Sequence, residues 1–240
     1  MKLELVVPTS LSEIPLMHYQ KFLEVCKSTN DDEFLGQKMI EIFCGIELKE
    51  VVKIAMPDVI ELVAHFNKLF SDIPKFKNRF SLNGVEFGFI PNMEKISWGE
   101  YISIDKTIND YNNFHVAMGV MFRPIVEFKK DKYLIEKYNA EGYYDELMKY
   151  APLDVCLSAQ VFFWNLEREL LVATITYLEK MMSRKMKMIL AKKLNLIDNG
   201  GGINQYISSL KETLQDLTKL QTLNYLPHLI FSHLKNKKHK

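Results

Sequence analysis

Arg79-Phe80-Ser81-Leu82-Asn83-Gly84-Val85-Glu86-Phe87-Gly88-Phe89 reads as two short strands joined by a two-residue turn. Apolar residues alternate with small or polar ones on both sides of Asn83-Gly84. That pair accepts the positive φ angles of a type I′ turn, whose twist matches the flanking strands. Leu82, Val85, Phe87 and Phe89 are the expected buried residues. Pro91-Asn92 closes the hairpin, because proline has no N–H for a ladder. Ser97-Trp98-Gly99-Glu100 follows, and Ser97 with Glu100 three residues on has the form of a capping box for a short helix. A further helix is predicted over Asn113–Phe122, halted by Pro124. Ile125–Phe128 and Tyr133–Ile135 suit a second hairpin across Lys129–Lys132.

Upstream, Lys2–Val7 reads as a strand ended by Pro8. The stripe Leu16, Tyr19, Phe22, Leu23, Cys26 has helical spacing. Asp31 and Asp32 open the next helix, with Phe34, Leu35, Met39, Ile42 and Phe43 on it and Gly45 as its stop. A short helix is expected over Glu47–Ala55. Pro57 and Asp58 start another, whose inward face is Val59, Leu62, Val63, Phe66, Leu69 and Phe70. Gly142–Tyr150 is read as a short helix before Pro152.

From Leu153 to Asn199 there is neither Gly nor Pro, and Leu, Met, Lys, Glu and Ala favour helix. Such a helix over 153–196 would run ~65 Å, against a diameter of ~46 Å for a compact globule of this length. It must break, with Met182-Ser183 as the candidate point, or project. Its first part is broadly apolar, and Val161–Val172 calls for burial nearly all round. Its second part interleaves Arg184, Lys185, Lys187, Lys192 and Lys193 with Met186, Met188, Ile189 and Leu190. Gly200-Gly201-Gly202 is a hinge. Ile203, Ile207, Leu210, Leu214 and Leu217 then form a four-three-four-three seam for a neighbouring helix, either this long helix or another copy. The expected fold class is therefore α+β, mostly helical: an N-terminal helical body with a small β-hairpin element, then a long helix and a C-terminal helical hairpin. The expected divisions are 1–150 as the α+β body, 151–199 as the long helix, and 200–240 as the Gly hinge, C-terminal helix and basic tail.

At 240 residues with 48% apolar and 25% charged content, the chain has ordinary globular values. The net charge of +1 argues against a dedicated nucleic-acid binder. Residues 151–240 hold 13 Lys and Arg against 7 Asp and Glu, and residues 1–150 hold 18 against 23. Halves of opposite sign suit docking on a charged partner face. Cys26, Cys44 and Cys156 are too far apart for a metal knuckle or a disulfide framework, so reduced thiols are expected. No basic, then apolar opening segment marks a secretory signal, and no run reaches the ~20 apolar residues of a membrane span.

The motifs of chemistry are sparse. The six histidines, His18, His65, His115, His228, His233 and His239, show no metal-ligand spacing. No Gly-x-Ser-x-Gly elbow and no phosphate-binding loop occurs. Glu100 and Asp105 near Trp98 and Tyr101 could serve a carbohydrate hydrolase with paired carboxylates. Helix-start charge and core aromatics are the simpler reading. Met181, Met182, Lys185, Met188, Lys192 and Lys193, with Ile207, Leu210, Leu214 and Leu217, are the expected partner-contact residues, since methionines make adaptable apolar surfaces.

Leu82-Asn83-Gly84 with Phe87, Ser97-Trp98-Gly99-Glu100-Tyr101-Ile102, Phe122-Arg123-Pro124, a tyrosine within 133–138, and Phe162-Phe163 form an ordered pattern. It resembles a family of small morphogenesis proteins of large tailed phages, including the crAss-like phages of gut Bacteroidetes. The resemblance covers about residues 15–180 and leaves 183–240 outside. It implies a non-enzymatic virion protein near the portal or tail, a ring component or adaptor, assembled in the host cytoplasm. Its partners would be other virion proteins, further copies of itself and a packaged cargo protein; no cofactor, nucleic acid or membrane is implied. A transient tail or virion assembly chaperone is the alternative within the family. A hydrolase using Glu100 or Asp105 is the alternative outside it.

Overall fold

The computed structural model describes residues 5–71, 74–130, 132–190 and 207–216, with only the backbone described for 182–190. The described residues divide into two compact units, one up to Ala159 and one from Gln160 on. The protein is α+β and mostly helical, with one small antiparallel sheet.

In the first unit, three helices make an aromatic core. These are α1 (Leu16–Ser28), α2 (Asp32–Cys44) and α4 (Met56–Leu69), with the single turn α3 (Leu48–Val51) between the last two. The side chain of Asp31 caps α2 by accepting the N–H groups of Glu33 at 3.0 Å and Phe34 at 3.2 Å. Gly45 ends it at φ 67°, in the left-handed region. Phe43 sits at the centre, with ring centroids 5.3 Å from Phe22 and 5.4 Å from both Phe66 and Phe70. Leu16, Tyr19, Phe22 and Leu23 of α1 are buried, as their spacing predicts. Leu5–Val7 carry no strand, contrary to the expected Lys2–Val7, and 1–4 lie outside the described residues. Pro8 is instead tied by its carbonyl to His65 Nε2 at 2.8 Å.

The sheet has the order β1-β2-β3-β4, with β1 at Arg79–Leu82, β2 at Val85–Phe89, β3 at Phe122–Lys129 and β4 at Lys132–Ile135. Asn83 at φ 49° and Gly84 at φ 78° make the first turn. The second hairpin also forms, with Lys130 at φ 58°. The two hairpins join into one sheet through Phe87↔Pro124, Gly88↔Arg123 and Phe89↔Phe122. Between β2 and β3 lie α5 (Trp98–Thr107) and α6 (Phe114–Met121). Pro124 therefore does not mark a helix end; the helix stops at Met121 and Pro124 lies inside a strand. Glu136 N–H donates to Pro124 O at 2.9 Å, so the Pro124 backbone faces β4. The N–H it lacks is missed only at the end of that ladder.

Phe87, Phe89 and Phe122 are buried. Val85 is a correction to the expected core: it is 41% exposed, and Leu82 is half-buried. The turn end of this hairpin reaches beyond the hydrophobic body. Gly88 has a different role. A Cβ there would lie 2.5 Å from Tyr133 Cε2, and the Tyr133 hydroxyl donates to Phe89 O at 2.9 Å. Gly88→Ala should therefore cost about 1–3 kcal/mol in a urea melt, because the pinned ring cannot step aside.

After α7 (Asp145–Met148), α8 (Leu153–Leu190) runs 38 residues without interruption at Met182-Ser183. In the second unit the helical segment 207–216 folds back beside it. Lys211 Nζ donates to Glu179 Oε1 at 2.7 Å, and Ile175 and Ile207 are both buried. Burial along α8 is not all-round: Leu170 is 67% and Val172 47% exposed.

Candidate functional site

The first turn of α5 fixes Glu100. Ser97 Oγ accepts the Glu100 N–H at 3.3 Å, and Ser97 N–H donates to Glu100 Oε2 at 2.7 Å. The capping box leaves Oε1 free for a second partner, and Arg123 Nη2 donates to it at 2.6 Å. Both side chains are nine-tenths buried. Arg123 reaches this point from β3, where it is paired with Gly88. Its guanidinium lies 5.9 Å from the centroid of the Tyr138 ring, within cation–π range. Tyr138 Oη shares a 3.0 Å hydrogen bond with Ser103 Oγ. Burial pushes the Glu100 carboxyl up, but the hydrogen bonds from Ser97 and the charge and hydrogen bond of Arg123 outweigh it and hold it below the usual range.

Arg123 stands between two hollows. One is a cavity of about 330 Å³ lined by Ser103, Val116, Gly119, Tyr138, Gly142 and Asp145, among others. The second is an open cleft of about 1020 Å³ on which Lys95, Lys129, Lys132 and Lys137 converge. Among the described residues the Arg123 Nε–H has no hydrogen-bond partner.

The paired-carboxylate reading meets different geometry. Glu100 is committed to Ser97 and Arg123 in a state that favours its anion, while Asp105 is exposed further along α5. A general acid needs a raised carboxyl, and Glu100 has the opposite. Trp98 is 76% exposed and stacks on Tyr101 at 6.0 Å between centroids.

Of the expected contact residues, Met181 is exposed on α8, Ile207 is buried, and Leu210 and Leu214 are half-buried. Lys192, Lys193 and Leu217, and the side chains of Met182, Lys185 and Met188, lie outside the described residues. The three cysteines are free thiols. Burial pushes Cys26 and Cys44 up to about 11, which leaves them as unreactive thiols at neutral pH. His115 Nδ1 pairs with Gln20 Nε2 at 3.1 Å, a structural contact. No group of potential metal ligands occurs among the described residues, and no described helix is long and apolar enough to cross a membrane. The chain matches no protein-family model, no curated protein and no solved structure.

Proposed function

We propose that the chain is a non-enzymatic structural component of a tailed-phage virion, a portal- or tail-proximal adaptor that acts through protein–protein contact. The observation that carries the contact reading is on α8. Leu170, Tyr177 and Met181 are 67%, 62% and 47% exposed. Spaced seven and four residues apart, they share one helix face. Single exposed apolar residues are normal, but a stripe three turns long is the kind of surface a neighbour covers. The ordered sequence pattern over residues 15–180 points to tailed-phage virions as the setting. The partner is another virion protein or a further copy of this chain.

Two measurements test this. Mass spectrometry of purified particles should find the chain at stoichiometric copy number. Absence from particles would replace the component reading with that of a transient assembly chaperone. Light scattering should show self-association or a complex with a virion partner. In Leu170→Glu/Tyr177→Glu that association should weaken at least tenfold with the melting temperature unchanged, since two carboxylates would have to be desolvated at the contact. An unaltered association in the double variant would remove α8 from the contact.

A further inference from the structure

Asp145, the first residue of α7, is placed with little clearance. A Cβ on Gly119 of α6 would lie 2.5 Å from its Oδ1, and one on Gly142, at φ 67°, would meet its Oδ2. Two glycines thus make room for one carboxylate, and all three residues line the 330 Å³ cavity. Asp110 and Asp154 of this unit accept hydrogen bonds, whereas Asp32 and Asp58 accept none from the described residues. Asp110 takes them from Asn112 N–H at 3.1 Å and Asn113 Nδ2 at 2.7 Å, and Asp154 from Val155 N–H at 2.9 Å. Asp145 is half-buried and accepts none from the described residues. Burial first, and then the neighbouring Glu146, push its carboxyl up, as befits an anion without a donor.

Arg123 lines the same cavity with the converse deficit. A guanidinium has five N–H donors. Arg123 makes one described hydrogen bond, to Glu100, and its buried Nε–H makes none. Arg123 and Asp145 do not pair with each other. Glu100 holds one and the glycine cradle the other. A ligand that satisfies both must offer an anionic acceptor and a cationic donor.

We propose that this cavity binds a free α-amino acid, its carboxylate on the Arg123 guanidinium and its ammonium on Asp145. A residue within a peptide has neither charge, so the pair of unmet groups selects the free zwitterion. The volume lies at the small end of ligand pockets, right for one amino acid and too small for a nucleotide. Val116, Val120 and the Tyr138 ring supply an apolar wall for a side chain. Glu136, also on the lining, is occupied as the acceptor of the Tyr144 hydroxyl at 2.5 Å, and Lys137 is exposed. This inference is independent of the contact surface on α8.

The test is titration of the full chain, followed by NMR on the Gly119 and Gly142 amides at constant ionic strength. Glycine, L-leucine, L-glutamate and L-lysine form the panel. The best binder is then compared with its two halves, the acid lacking the ammonium and the amine lacking the carboxylate. For L-leucine these are 4-methylpentanoate and 3-methylbutylammonium. The intact amino acid should bind at least tenfold tighter than either half. Asp145→Asn should reduce it to the level of the deaminated acid while melting at or above the wild-type temperature. No binding across the panel, halves that bind as well as the whole, or binding unchanged in a folded Asp145→Asn would each overturn the proposal.

Discussion

Arg123→Ala should lower the stability of the first unit by about 3–5 kcal/mol in urea at neutral pH, one of the two largest losses expected from a single change. The substitution strands Glu100, which is only 7% exposed and cannot recover its hydration in place. The partner's removal, not the worth of the pair, sets the size of the effect. The double variant Glu100→Gln/Arg123→Met should accordingly recover most of the loss, because an apolar or neutral pair of similar volume has no buried charge to strand. Acid separates the two cases further. The folded Glu100 carboxyl titrates below its unfolded value. Its contribution is therefore present above the unfolded carboxylate pKa and is lost as pH falls through the folded one. In Arg123→Ala the Ser97 hydrogen bonds remain but the lowering by the guanidinium is gone, so the carboxyl titrates higher than in wild type. That variant gains relative to wild type as pH falls, and the gap between them should narrow in acid. A gap that stays constant between pH 7 and pH 3 would mean that Glu100 is solvated and the pair is a surface feature.

What could be read from the sequence is what residues within a few positions of one another decide. The Asn83-Gly84 turn, the Asp31 cap, the Gly45 stop and the Ser97–Glu100 box each form as their local chemistry requires. The fold-back of 207–216 on α8 is one of the two outcomes that the periodic Ile207, Leu210 and Leu214 left open. The join between β2 and β3 was not legible, because Phe89 and Phe122 are brought together across two intervening helices. Pro124 read as a stop because a proline inside a paired strand is tolerated only where its missing N–H falls at a ladder end, and register is not visible in one sequence. The candidate site was hidden for the same reason. Glu100, Arg123 and Asp145 come from three separate elements and Tyr138 from a loop, and they follow no spacing. Glu100 was visible only in its capping role, which uses one carboxylate oxygen and gives no hint of the other. The signal that could have been weighed is Arg123 itself, a charge inside Met121-Phe122-Arg123-Pro124-Ile125, where an apolar run predicts burial and a buried arginine requires a partner.

Phe122→Ala should cost about 3–5 kcal/mol, while Phe128→Ala on the same strand should cost less than about 1. Phe122 has no exposed surface, and its ring centroid lies 5.3 Å from Phe80 and 5.2 Å from Phe89, both near edge-to-face. Alanine would leave a void walled by two rings that are themselves held by strand pairing, so collapse into it is limited and the cavity term stays large. Phe128 is 53% exposed, with the Arg79 guanidinium 5.8 Å from its centroid. The contrast places the change from core to water within a single strand, between Phe122 and Phe128. It also tests register. Side chains alternate across a strand, so a slip of one residue would turn Phe122 outward and send Arg123 into the aromatic cluster. Equal losses at the two phenylalanines would signal that slip, and with it the loss of the Arg123–Glu100 pair and of the cavity beside it.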